Sequence, residues 1–298
     1  MKTSRLILTC MLFALLTTLP AMAGPRIFVS GLGNDANPGT REQPKRTFAS
    51  ALTVTDPAGE VVVLDPAGFG SSTLTINKSV SIIVPAGIFG GIRVISGNAI
   101  TVAAGPEDTV VLRGLTLNNG GGDNGIEFQS GAALHVENCI INGFTTGYSI
   151  LVPSSAGESA RLYVKDTICR RNGVGIYPLA GRISLDHVRL EQNGFGLYVV
   201  GSETRVSIAN SVASGNTSSA LVGSGAELNI EACLVTNNGE AGIYSLFEAT
   251  VRVSNSTVTN NGYGLFNSSG STLKSRGNNT VDGNTNNVFG TITPLSGI

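Results

Sequence analysis

Asn172-Gly173-Val174-Gly175-Ile176 and Asn193-Gly194-Phe195-Gly196-Leu197 decide the reading of this chain, because the same stretch returns as Asn238-Gly239-Glu240-Ala241-Gly242-Ile243 and Asn261-Gly262-Tyr263-Gly264-Leu265. Looser copies begin at Asn216 and Asn284, and the Asn positions step by 21, 23, 22, 23 and 23 residues. A fixed period of this size is one turn of a solenoid, in which each unit buries its apolar face only against its neighbours.

Outward from the Asn, apolar residues alternate with polar ones. Examples are Leu134-His135-Val136, Leu162-Tyr163-Val164, Ile183-Ser184-Leu185, Val206-Ser207-Ile208, Leu228-Asn229-Ile230 and Val251-Arg252-Val253. A period of two belongs to strands with one face in and one face out. The Gly-apolar pair opens a second strand, and a short third one such as Cys139-Ile140-Ile141 or Ser256-Thr257-Val258 lies between. Three short strands per turn, with hardly room for a helix, predict an all-β, single-stranded right-handed parallel β-helix of about nine to ten rungs stacked at about 4.8 Å. Equivalent positions then form columns. One such column, Asn138, Asp166, His187, Asn210, Ala232, Asn255 and Asn278, falls just after the first strand of each turn. Short amide side chains tolerate a tight bend and bond its backbone, so His187 is read as a turn residue.

These columns, the Gly-apolar strand and the stacked strands resemble the pectin-lyase-like right-handed β-helix superfamily. The opening segment Phe28-Val29-Ser30 through Gly33-Asn34-Asp35 and Pro38-Gly39-Thr40 to Pro44-Lys45-Arg46-Thr47, followed by Val63-Leu64-Asp65-Pro66-Ala67-Gly68-Phe69-Gly70, is similar to secreted bacterial β-helix repeat proteins of unassigned function. The resemblance covers nearly the whole chain after residue 23 and implies the fold. It leaves the chemistry open, because this fold hosts lyases, hydrolases, epimerases, adhesins and inert spikes.

Residues 1–23 read as a secretory signal: Lys2 and Arg5, an apolar stretch from Leu6 to Leu19, and Ala21-Met22-Ala23 before Gly24. The expected destination is the periplasm or the cell exterior, with no membrane span after signal cleavage. Residues 24–60 are expected to form an N-terminal cap region, with a short helix around Phe48, Ala49, Ala51 and Leu52 over the open end of the core. Residues 61–298 form the β-helix, with only a thin cap from Val288 onward. Of 298 residues, 41% are apolar, 13% are charged and 39 are Gly, which suits a turn-rich β protein with a long core. The net charge of −1 becomes −3 once Lys2 and Arg5 leave, and neither a basic stripe nor a polybasic run is read in the sequence, so no nucleic-acid partner is expected. Exposed parallel edges under a thin cap predict end-to-end self-association.

Of the four Cys, Cys10 leaves with the signal. Cys139 and Cys233 share a column four rungs apart, about 19 Å at the rung spacing, and Cys169 is offset from Cys139, so no disulfide is expected. No C-x-x-C cluster occurs, and neither a zinc site nor any other metal or cofactor is expected. The Asn34, Asp35, Asn37 run lacks the oxygen spacing of a Ca²⁺ loop and reads as turn chemistry.

Catalytic members of the superfamily place Asp, Arg, Lys or His on the outer face of the strand after the longer turn. Here that strand is read as starting at the Gly-apolar pair, which makes Glu127, Ser149, Tyr177, Tyr198, Val222, Tyr244 and Phe266 its outward residues. Four of the seven are aromatic, and Phe195 and Tyr263 are read into the short turns just before it. The Asn-Thr-Asp, Asp-Asp and Gly-His-Gly signatures of polygalacturonase-like enzymes and the Asp-Pro-His-Asp stretch of alginate epimerases are absent. A ladder of aromatic rings offers flat faces to sugar C–H groups and phenol hydroxyls to sugar hydroxyls, so polysaccharide or surface glycan is the expected partner. Two other readings stand beside it: rings that only stack on one another and stabilise the sheet, and a structural or adhesive surface contacting proteins. The enzymatic alternative, a lyase, hydrolase or epimerase, rests on Asp123 and Glu127 near the Gly120–Gly125 loop, with Arg113 not far behind and with His135 and Glu137 on the next strand but on a different face. Glu137, Lys165 and Asp186 read as a solvated ion ladder.

Overall fold

The computed structural model describes residues 26–295. The expected signal segment, residues 1–23, and the last three residues lie outside that range.

One turn shows how sequence becomes coil. Arg161–Lys165 is a strand whose side chains alternate out and in, with Leu162 and Val164 buried. Asp166 then takes a left-handed backbone (φ 49°), and the chain bends into Ile168–Arg170. A second bend at Arg171 (φ 56°) and the buried Asn172 leads to Val174–Pro178, and Gly181 (φ 90°) returns it to the start of the next turn at Arg182. Repeated, these strands assemble three parallel sheets, here called A, B and C. Sheet A has 12 strands from Arg26–Val29 to Ile292–Pro294, sheet B has 10 from Ala67–Gly68 to Thr280–Val281, and sheet C has 10 from Leu74–Ile76 to Asn286–Phe289. The register is in phase between successive turns: Leu134 pairs with Leu162, Leu162 with Ile183 and Ile183 with Val206. A single apolar core fills the coil.

Both Asn columns hold the bends, in different ways. Asn138, Asp166, His187, Asn210, Ala232 and Asn255 all have φ of 49–52° between sheets A and B, so His187 is a turn residue, 3.0 Å from the carboxylate of Asp186. The Asn172 column lies inside the coil. Asn172, Asn193, Asn216, Asn238 and Asn261 are 1–3% exposed, and each donates its amide nitrogen to the amide oxygen of the next at 2.8–3.2 Å. Each oxygen also accepts the preceding Asn backbone N–H at 3.0 Å, so every amide is satisfied on both sides.

At the N-terminal end, Phe48–Val54 is the expected capping helix. Thr47 accepts the Ser50 N–H at its start, and Phe48, Ala51 and Leu52 are buried over the first rungs. The first strand of sheet A, Arg26–Val29, precedes this helix and pairs with Gly59–Val63. Asp35 accepts the backbone N–H groups of Arg46 and Thr47 and the Thr47 hydroxyl, so the Asn34–Asn37 run organises the cap loop. At the other end Asn286–Phe289 is exposed throughout. Cys139, Cys169 and Cys233 are free and buried. Burial pushes the first two thiols up to about 12 and Cys233 up to about 11. None of the helices described is long and apolar enough to cross a membrane.

Candidate functional site

Sheet C carries the aromatic column. Val222 pairs with both Tyr198 and Tyr244, and Phe266 pairs with Tyr244 on one side and Phe289 on the other. Four outward aromatics of the expected column therefore share one line. One expected member does not: Ser149 is fully buried, and Leu151 holds its place between Glu127 and Tyr177. The turn Gly143–Gly147 is two residues longer than the turn of residues 171–173, so Ser149, and not Gly147, stands level with Gly175. The same slip turns Tyr148 outward, where it stacks on Tyr177 with ring centres 4.8 Å apart and planes at 18°. Phe195 and Tyr263 are the first residues of their strands and do not sit in the turns before them.

The rings form two groups. Tyr148, Tyr177, Tyr198 and Phe195 make one, with Tyr177 and Tyr198 at 5.7 Å and Phe195 and Tyr198 at 5.2 Å. Tyr244, Phe266, Tyr263 and Phe289 make the other, with Phe266 and Phe289 stacked at 4.3 Å. Val222, only 2% exposed, lies between them. Phe289 is 48% exposed, while the remaining rings are half-buried by one another, so mutual stacking holds the column in place. Burial, with Tyr148 and Tyr198 nearby, raises the Tyr177 phenol. Burial, with Glu240 and Tyr198 nearby, raises that of Tyr244. Both hydroxyls therefore remain protonated donors at neutral pH.

Asp123 is exposed in the loop before Ile126–Ser130, where its N–H donates to the Gly97 carbonyl at 2.7 Å. Glu127 is half-buried in that strand and accepts a hydrogen bond from Asn98. His135, Glu137 and Arg113 stand on sheet A, so the register keeps them off the Glu127 face. There Glu137 binds Arg113 at 2.8 Å and pairs with Lys165, which pairs with Asp186: the expected ion ladder. His135 stacks on Tyr163 at 4.7 Å. Among the described residues no group of three or more His, Cys, Asp or Glu is gathered to hold a metal ion.

Sheet A holds what sequence reasoning missed. The longest turn between sheets C and A, residues 153–160, opens onto Arg161–Lys165, a strand of sheet A and not of the aromatic sheet. Arg161, Arg182 and Arg205 pair in register on three successive rungs, so the fold builds a basic stripe that the linear sequence does not contain. The available signal was the Arg opening each of three alternating strands.

The sequence matches the family model described as right handed beta helix region over residues 91–286. Among solved structures, pectate lyase Pel9A matches with a TM-score of 0.65 at 16% identity, over 91% of this chain and 80% of that one. The Dettilon tailspike protein (gp208) matches with a TM-score of 0.51 at 13% identity, over 77% of this chain and half (50%) of that one. At these identities both likenesses speak for fold alone. Comparison with curated proteins returns no match. The family match spans most of the coil whose register and columns are described above, and the chain belongs to the right-handed β-helix family.

Proposed function

We propose that this is an exported β-helix protein that binds a polysaccharide or cell-surface glycan, without cleaving it, along the outer face of sheet C. One observation carries the reading: Tyr177, Tyr198, Tyr244 and Phe266 occupy one outward column, with Tyr148 and Phe289 extending it at its two ends. Rings fixed by stacking lose little conformational freedom on meeting a ligand, and their phenols keep a donor for sugar hydroxyls. A column along the solenoid axis matches an extended polymer better than a compact small molecule. The fold of pectate lyase Pel9A is compatible with this reading and adds nothing about the ligand.

Retention in native gels cast with a panel of polysaccharides is the test. Replacing Tyr177, Tyr198 and Tyr244 together by Ala should weaken retention about tenfold or more, equivalent to about 1.4 kcal/mol, while thermal melting confirms that the coil persists. Should the triple variant lose its fold, Tyr244→Ser alone is the fallback and should weaken retention to a smaller degree. Unchanged retention in a folded variant refutes the proposal. Release of new chain ends that disappears in Glu127→Gln would replace it with the enzymatic reading at Asp123 and Glu127.

A further inference from the structure

Three like charges in a row need an explanation. Arg161 pairs with Arg182, and Arg182 with Arg205, which sets their stems about 4.8 Å apart on one face of sheet A. Like charges directly opposite on neighbouring strands destabilise a sheet. Arg205 is offset by Glu227 at 3.6 Å. Arg161 and Arg182 are exposed and make no ion pair or side-chain hydrogen bond among the described residues. Beside them lies a hollow of about 490 Å³, whose lining includes Tyr163, Ser184 and Ser207. Tyr163 is 37% exposed, a ring face within reach of that hollow.

We propose that this arginine track binds the carboxylate or sulfate groups of an acidic glycan, with no metal ion between them. A guanidinium grips an oxyanion through two parallel N–H donors, and repetition at the rung spacing suits charges that repeat along a chain. Ser184 and Ser207 supply hydroxyl partners for sugar hydroxyls, and Tyr163 supplies a stacking face. Glu227 closes the track on the next rung, and Asp186 lies at the far end of the Arg182 strand. The sequence carries a net charge of −1 and so offers no wide basic surface of the kind nucleic acid requires, while the hydroxyls and the ring face lining the hollow suit sugar, which favours an acidic sugar chain. The track is on sheet A and stands independently of the aromatic face on sheet C.

Fluorescence anisotropy of the purified protein in EDTA tests this directly. The probes are an end-labelled polyuronate oligosaccharide, a sulfated glycan, a neutral cello-oligosaccharide and single-stranded oligo-dT, all of similar length. Binding of the polyuronate or the sulfated chain, weakening as salt rises, is expected, and which of the two binds identifies the oxyanion. Arg182→Ala should weaken that binding about tenfold or more, with Arg182→Lys in between, because a point charge replaces a fork. Melting temperatures should stay the same or rise, since removing one arginine relieves repulsion. Equal binding of the neutral chain or of oligo-dT, a requirement for added Ca²⁺, or full affinity in Arg182→Ala would each overturn the proposal. If the tyrosine substitutions alone abolish binding of the acidic chain, the arginine track falls and the aromatic face stands. Loss through Arg182→Ala alone upholds the track and leaves the aromatic face without a role in binding that chain.

Discussion

A left-handed bend costs most side chains roughly 1–2 kcal/mol, and Asn and Asp less, because their short polar groups bond locally. The column between sheets A and B is filled accordingly at Asn138, Asp166, Asn210 and Asn255, while Ala232 (φ 51°) adopts the same bend with no polar group to soften it. Ala232→Asn should therefore stabilise the protein by about 1 kcal/mol, read as a higher denaturant midpoint at unchanged slope. A lower midpoint would show that the left-handed backbone costs nothing that Asn can relieve at this exposed position. Both Asn columns were visible in the sequence, yet which one is buried was not. An Asn recurring at the rung period marks a bend in either case, and only the assembled coil shows that Asn193 and Asn216 face inward, each bonded to a backbone carbonyl and to a neighbouring amide.

Strand type, sheet number and the capping helix were legible because alternation and turn residues are local signals. Exact column membership was less so: two extra residues in the Gly143–Gly147 turn move Ser149 to the buried level of Gly175, bring Tyr148 level with Val174 and put Leu151 in the place expected for Ser149. The cap shows the same dependence of an element on one loop. Burial pushes the Asp35 carboxyl up, but the N–H groups of Thr47 and Arg46, the Thr47 hydroxyl and the charge of Lys45 outweigh it and hold the carboxyl below its ordinary value. A depressed carboxylate stabilises the fold above the unfolded value of about 3.9, and that contribution disappears as pH falls through the folded value. Asp35→Asn should lower the melting temperature at neutral pH, with the gap to the parent protein narrowing in acid below about pH 3.9. A gap independent of pH would show that the cap depends on the shape of this side chain and not on its charge.

At the scale of the whole coil, each turn contacts only its neighbours, so function and stability both follow columns that no linear window contains. The arginine track illustrates this: its members lie 21 and 23 residues apart and become one surface only through register. Stability should follow the same geometry. The N-terminal rungs are closed by the helix, with Val29 and Phe48 at most 1% exposed, whereas at the other end Val288 and Phe289 are 51% and 48% exposed. A terminal rung with a neighbour on one side only and little apolar burial opens at low free energy. Amide hydrogen exchange should therefore run as a gradient. Strands Asn286–Phe289 and Ile292–Pro294 should exchange first, central strands such as Ala133–Glu137 and Arg161–Lys165 last, and the helix-capped N-terminal strands nearer the centre than the C-terminal ones. Uniform protection from end to end would show instead that the turns open only together, and that coupling between rungs exceeds any difference in how the two ends are covered.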